Sequence, residues 1–154
     1  MSPVPEDGGG QKMIKVEKMI KVERTKKGFP ALWETGGGMT NTGSARVVVN
    51  ADGTRKKPVY VRNRGHLACL EHALFVVRPG DVVIDAWHHR GDFEITVFRV
   101  LEVKEDLCAV DPIHHFSDGE WDVTPPAFLD AAIDAACEKA TCYHCREPHF
   151  AAVE

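Results

Sequence analysis

Two cysteines separated by two residues, in Cys142-Tyr143-His144-Cys145, carry the strongest chemical signal in this chain. Two thiolates at that spacing on a tight turn point at one tetrahedral ion, so a zinc site is the first expectation. The pair supplies only half of a four-ligand set. The rest come either locally, from Cys137 and His149 in the order Cys-x4-Cys-x2-Cys-x3-His, or from His66, Cys69 and His72. Cys137 falls on the apolar face of an expected helix, where a cysteine usually behaves as a small hydrophobe. The spacing of three in His66, Cys69 and His72 puts neighbours on one face of a helix, whereas on a strand Cys69 opposes the two histidines. A thioredoxin-like role is disfavoured because the cysteine pair follows a helix instead of opening one, so no helix N-terminus lowers a thiol pKa.

Two histidine doublets, His88-His89 and His114-His115, stand near Asp85, Asp92 and Asp111. Asp and His at strand ends are raw material for general acid/base or metal-assisted hydrolysis. Adjacent strand residues point to opposite faces, so at most one histidine of each doublet joins a given site unless the doublet lies in a loop.

A third signal is Arg55-Lys56-Lys57-Pro58-Val59-Tyr60-Val61-Arg62-Asn63-Arg64. On a strand, Tyr60, Arg62 and Arg64 share one face, offering a stacking ring and two guanidinium groups to a single-stranded nucleic acid or another polyanion. The net charge of −4 conceals an asymmetry that bears on this reading. Residues 24–64 hold nine Lys or Arg against two acids, and residues 92–154 hold four against fourteen, which makes the chain an expected electrostatic dipole. The glycine-rich stretch 36–43 has the composition of an anion nest. It lacks the Gly-Lys-Ser/Thr and following helix of a P-loop, and reads instead as a flexible connection.

The elements that must position these residues are mostly strands. Residues 1–11 read as a disordered tail. An exact tandem hexapeptide follows, Lys12-Met-Ile-Lys-Val-Glu17 and then Lys18-Met-Ile-Lys-Val-Glu23. Six is even, so alternation survives the duplication and sets Ile14, Val16, Ile20 and Val22 on one face of a long or bent strand, interrupted by Lys18. Residues 45–50 and 58–62 read as a hairpin with Asp52-Gly53 at its turn and Arg55, Lys56 and Lys57 at its tip. Residues 66–77 are expected to form a helical turn and then a strand, joined through the turn Arg78-Pro-Gly-Asp81 to Val82–Ala86 as a second hairpin. Phe93 to Val103 alternates, with Phe93, Ile95, Val97 and Val103 facing inward. Leu107 to Val110 is a short strand before a polar loop. Thr124 then caps a helix with Pro125 at its first position, and Phe128, Leu129, Ala132, Ile133, Ala136 and Cys137 form its apolar stripe.

These elements imply an α+β fold, an antiparallel sheet or partly closed small barrel with one C-terminal amphipathic helix. The organisation is a single domain: tail 1–11, β-rich core 12–123, and a helix with its Cys/His tail, 124–154, packed on that core. With 154 residues the chain can bury one core without disulfide staples. Five cysteines at irregular spacing do not resemble a disulfide framework, and residues 1–12 do not resemble a secretory leader, so a reducing, cytoplasmic compartment is expected. No run approaches the roughly 20 apolar residues of a membrane-spanning helix. Two functional readings follow. One is a zinc-binding β-rich module for nucleic acid or another polyanion. The other is a small metal-dependent hydrolase built on the doublets and their aspartates. A non-catalytic subunit covered by a partner near Trp33 and Trp87 is a third.

Overall fold

The computed structural model describes residues 18–34, 44–62, 71–89 and 92–145. They form two antiparallel sheets and a single C-terminal helix, as the apolar patterning predicts, and the sheets do not close into a barrel. The larger sheet has the order β1-β9-β8-β7-β4, from Lys18–Lys21, Leu107–Ser117, Asp92–Lys104, Val82–His89 and Ser44–Val49, with β10, Glu120–Trp121, paired to the end of β9. The smaller has the order β2-β3-β6-β5, from Glu23–Arg24, Pro30–Trp33, Glu71–Val76 and Val59–Arg62. After a 3-10 turn at Ala127–Leu129, helix α1 runs from Asp130 to Cys145 and packs on β4 and β7.

Strand alternation in the larger sheet serves two cores at once. Ala45, Val47 and Val49 of β4, Val82, Ile84 and Ala86 of β7, and Ile95 and Val97 of β8 face Leu129 of the 3-10 turn and the helix residues Ala132, Ile133, Ala136 and Ala140. Three alanines in that stripe let the helix lie close to the sheet. The opposite face presents Val48, Val83, Phe98, Val100, Cys108 and Val110 to Val22, Leu32, Phe75 and Val77 of the smaller sheet side. The larger sheet is therefore the middle of three layers.

Neither predicted hairpin pairs with itself. Residues 45–50 pair with β7 in the larger sheet, while 59–62 pair with β6 in the smaller. Only the turn survives, through Asn50 N–H to Thr54 O and Lys56 N–H to Val48 O, with Gly53 at φ +95°. The Arg78–Asp81 turn, with Gly80 at φ +94°, likewise connects β6 of one sheet to β7 of the other and acts as a corner. Turn chemistry fixes a reversal and leaves the pairing partner open. The N-terminal strand is bent as expected. It breaks at Val22, pairs with β9 before the bend and with β3 after it, buries Val22 in the core between the sheets and packs the half-buried Ile20 against it. Lys18, which interrupts that face, lies with its ammonium 5.4 Å from the centre of the Phe98 ring.

Three further boundaries differ from expectation. Strand β9 continues to Ser117 through the stretch read as a polar loop, because Pro112 sits beside a bulge that tolerates its missing N–H. A second bulge, at Leu101, moves Val103 from the helix side, where Phe93, Ile95 and Val97 lie, to the core between the sheets. The helix starts after Pro126 rather than at Pro125. Pro126 is extended and offers no side-chain cap, and a residue preceding proline is held out of the α region. Phe128 consequently misses the apolar stripe and is exposed beside the Gly53 turn. The tail, the first hexapeptide with Ile14 and Val16, residues 63–70 and the glycine-rich stretch lie outside the described residues.

A buried ion pair holds the corner between the sheets. Lys56 Nζ lies 3.1 Å from Asp81 Oδ2, with side chains only 10% and 5% exposed, and the same oxygen accepts the Arg78 N–H at 2.8 Å. Asp81 O accepts from Val100 N–H at 2.8 Å, tying the corner to β8. Removing one partner strands the other charge out of water. Asp81→Ala is expected to lower unfolding free energy by about 3–5 kcal/mol in urea titration at neutral pH, and adding Lys56→Met to it should recover part of the loss.

Candidate functional site

The hydrophobic contact between the sheets ends abruptly along one row of the larger sheet. Val48, Val83 and Phe98 are successive cross-strand partners in that core. Two residues along each strand, the same face carries Arg46, Asp85, Thr96 and His115, aligned partner to partner across β4, β7, β8 and β9. A further row adds Ser44, Trp87 and Glu94. Arg46 and Asp85 are the lone charged residues of their strands, and the pairing register brings them opposite each other.

Arg46 Nε lies 3.6 Å from Asp85 Oδ2, a charge contact too long for a hydrogen bond, while Nη1 donates to Trp33 O at 3.2 Å. Arg46 N–H also donates to Glu34 O, and Glu34 pairs its carboxylate with Lys139 of α1 at 2.7 Å. Arg46 is thus held from three sides. Burial raises the Asp85 carboxyl above the ordinary aspartate range, although Arg46 and Lys18 pull the other way. His115 Nε2 lies 2.9 Å from Glu94 Oε2 on this same face. Its backbone N–H and that of Val123 donate to Asp122 Oδ1, which holds the Asp122 carboxyl below its usual range.

The doublets do not assemble into one centre. His114 partners Val97 on the helix side, whereas His115 partners Thr96 on the opposite face, as alternation requires. His114 Nδ1 donates to Val123 O at 2.9 Å. His88 also faces the helix side, with its ring 4.8 Å from that of Phe93, but the apolar row Ala86, Ile95 and Phe116 separates it from His114. His89 pairs with Asp92 at the far end of β7. Asp111 partners Arg99, two residues along β8 from the Val97 that partners His114. Asp85 and His115 share a row but stand two strands apart, roughly 10 Å at ~4.8 Å per strand, too far for direct proton exchange.

The cysteine pair lies in the last turn of α1 rather than on the tight turn expected of it, so Cys142 and Cys145 are one helical turn apart. Cys137 is half-buried against the helix-side core, where burial, with the Asp134 charge, pushes its thiol up to about 11. His72 occupies a strand position opposite Val61. His66, Cys69 and His149 lie outside the described residues. Among the described residues, no three His, Cys, Asp or Glu side chains gather where they could hold a metal ion. No described helix is long and apolar enough to cross a membrane.

On the smaller sheet, Tyr60 lies on the edge strand β5 and is 64% exposed. Its cross-strand partner is Ala73, whose small side chain leaves the ring uncovered from that direction. Arg62 follows two residues along the strand, and Arg55 and Lys57 are exposed just before it. Lys56 is withdrawn from the predicted basic tip by its pairing with Asp81. Arg64 lies outside the described residues. The opposite edge, β2 and the turn after it, exposes Arg24, Lys26 and Lys27, and α1 exposes Asp130, Asp134 and Glu138.

Arg46, Glu94 and Thr96 are absent from the sequence-based candidates. A lone arginine in Ser44-Ala-Arg-Val-Val-Val49 was the available signal, but its meaning depended on which strand lay beside it. The chain matches no known protein family, no curated protein and no solved structure.

The raised Asp85 pKa has a definite sign in stability. The folded chain holds this proton more tightly than the unfolded chain, so stability falls as pH rises between the ordinary aspartate value and the raised one. Asp85→Asn keeps the shape and removes the charge. Thermal melts should show the variant more stable than the native chain at neutral pH and equal to it in acid below the ordinary aspartate range; a less stable variant at neutral pH would mean that the Arg46 attraction outweighs burial.

Proposed function

We propose that this domain is a polyanion-binding module and that single-stranded nucleic acid is the ligand class it is best suited to take. The observation that carries the reading is the exposed Tyr60 ring on an edge strand flanked by bases. Bases offer flat faces that stack on such a ring whatever their sequence, while phosphates are drawn to neighbouring Lys and Arg. Arg55 and Lys57 precede the ring along the chain, and Arg62 shares its strand parity. Tyr60 and Arg62 form one face of the β5 edge, so a strand of nucleic acid would track along it, with its bases against the ring and its backbone against the cations. The exposed carboxylates of α1 belong to the other side of the larger sheet and would repel the same ligand there.

The hydrolase reading is the weaker one, because its described histidines are divided between the two faces of the larger sheet. Zinc remains a proposal about Cys142 and Cys145, independent of the basic edge.

A labelled single-stranded oligonucleotide titrated at several salt concentrations tests the module. Binding is expected to weaken as salt rises, since cations on the edge release counterions from the phosphates. Tyr60→Ala should weaken it about fivefold or more, the effect of losing one stacked base, with little change in the salt slope. A paired Lys57→Ala and Arg62→Ala variant should flatten that slope. Unchanged affinity in all three substitutions would move the contact away from β5.

A further inference from the structure

The strand that bends between the sheets occupies a defined seat. Lys18, Met19, Ile20 and Lys21 pair with Val110, Ala109, Cys108 and Leu107 of β9. Val22 N–H donates to Asp106 O at 2.9 Å, and Glu23 pairs with Ala31 of β3. Ile20 and Val22 enter the core beside Cys108 and Val110, and Lys18 covers the Phe98 ring. Every residue making these contacts, Lys18 to Glu23, has an identical residue six positions earlier, from Lys12 to Glu17.

We propose that this seat is a strand-binding site with two equivalent claimants in the same chain, and that the first hexapeptide can replace the second by a slip of six residues. Side-chain period in a strand is two, so a slip by an even number keeps each residue on its face. Ile14 would stand where Ile20 stands, Val16 where Val22 stands, and Lys12 over Phe98. Slips of one to five residues do not have this property, since they would place charged Lys or Glu in the core or exchange unlike side chains. The slipped state loses no contact at the seat between Lys18 and Glu23.

What favours the observed register lies just beyond the repeat. Arg24 donates to Gly28 O at 3.1 Å and also to Glu105 O. Thr25 closes the turn to β3 by accepting from Gly28 N–H at 2.9 Å on its carbonyl and from Phe29 N–H at 3.1 Å on its hydroxyl. A slip puts Lys18 opposite Pro30 in place of Arg24 and converts this closed turn into a connection six residues longer. Such lengthening is opposed only logarithmically. The slipped register is a minor state separated from the major one by the Arg24 and Thr25 bonds, and it becomes the major one when the second repeat is damaged.

The test is a comparison of unfolding midpoints in the full chain. One variant carries Ile20→Asp and Val22→Asp; a second carries Ile14→Asp and Val16→Asp; a third carries all four. The first variant is expected to fold cooperatively, with a midpoint loss less than half that of the fourfold variant, and the second to match the native chain. Equal losses in the first and the fourfold variants, whether large or small, overturn the proposal. So does a first variant that is rescued only as a dimer, its midpoint rising with protein concentration, because the spare repeat would then be acting between copies rather than within one chain.

Discussion

The ion pair between Lys56 and Asp81 is the contact on which the arrangement of the two sheets depends. Asp81 ends the corner where the chain leaves β6 of the smaller sheet and enters β7 of the larger, and Lys56 reaches it from the connection between β4 and β5, which makes the same crossing. Two of the chain's passages between the sheets are therefore fixed at one buried point. A charge pair there is not the most stable filling for a core, but it accepts partners only in one geometry. The Arg78 N–H and the Val100 N–H complete that geometry through the carboxylate and the carbonyl of Asp81. The Asp81 charge also reaches Cys108, whose thiol is pushed up to about 11, first by burial and then by this carboxylate. Cys108 is consequently a packing residue under β1 and a poor nucleophile.

With the corner fixed, the larger sheet has to be covered on both faces, and the two covers differ in extent. Helix α1 covers β4 and β7 with small and branched apolar residues. The smaller sheet covers the other face only as far as the row Val48, Val83 and Phe98. The next row has Arg46 and Asp85 in place of the valines, so the polar row marks where cover stops. Asp85 is nevertheless close enough to the cover for burial to raise its pKa. The register of β4 and β7 holds this carboxyl opposite Arg46, where burial outweighs the attraction of the guanidinium.

Element types were legible where local periodicity decides them. The apolar stripe at Leu129, Ala132, Ile133 and Ala136, which runs from the 3-10 turn into α1, and the alternation at Phe93, Ile95 and Val97 are properties of short windows, and both reappear as core contacts. Pairing was not legible. Asp52-Gly53 and Pro79-Gly80 are good turns in the structure too, yet each hands the chain from one sheet to the other, because a turn constrains four residues and the sheet partner is chosen by burial over the next six. Pro112 and the polar residues around it concealed the second half of β9, since the bulge that makes Pro112 acceptable leaves no trace in composition. The site followed the same divide. His114 and His115 on opposite faces could be read from alternation alone, whereas the row joining Arg46 to His115 exists only once four strands are in register.

The edges of the two sheets show how exposure and protection are combined. An edge strand offers unpaired backbone groups to any passing chain, and proteins discourage this with proline and charge. Strand β5 has Pro58 immediately before it and Lys57 and Arg62 at its ends, around an exposed Val59 and Tyr60. Those cations oppose pairing with a second copy of the same basic strand. Ala73 opposite Tyr60 adds no bulk that would cover the ring from that direction. At β1 the solution is different. Lys18 and Lys21 bracket an exposed Met19, and the strand continues through Val22 into the other sheet, so its outer edge is short. The same lysines recur in the preceding hexapeptide, which means that a replacement of one repeat by the other would leave the edge as well guarded as before. Charge thus guards both edges, and the exposed ring of Tyr60 is what distinguishes the β5 edge from the β1 edge.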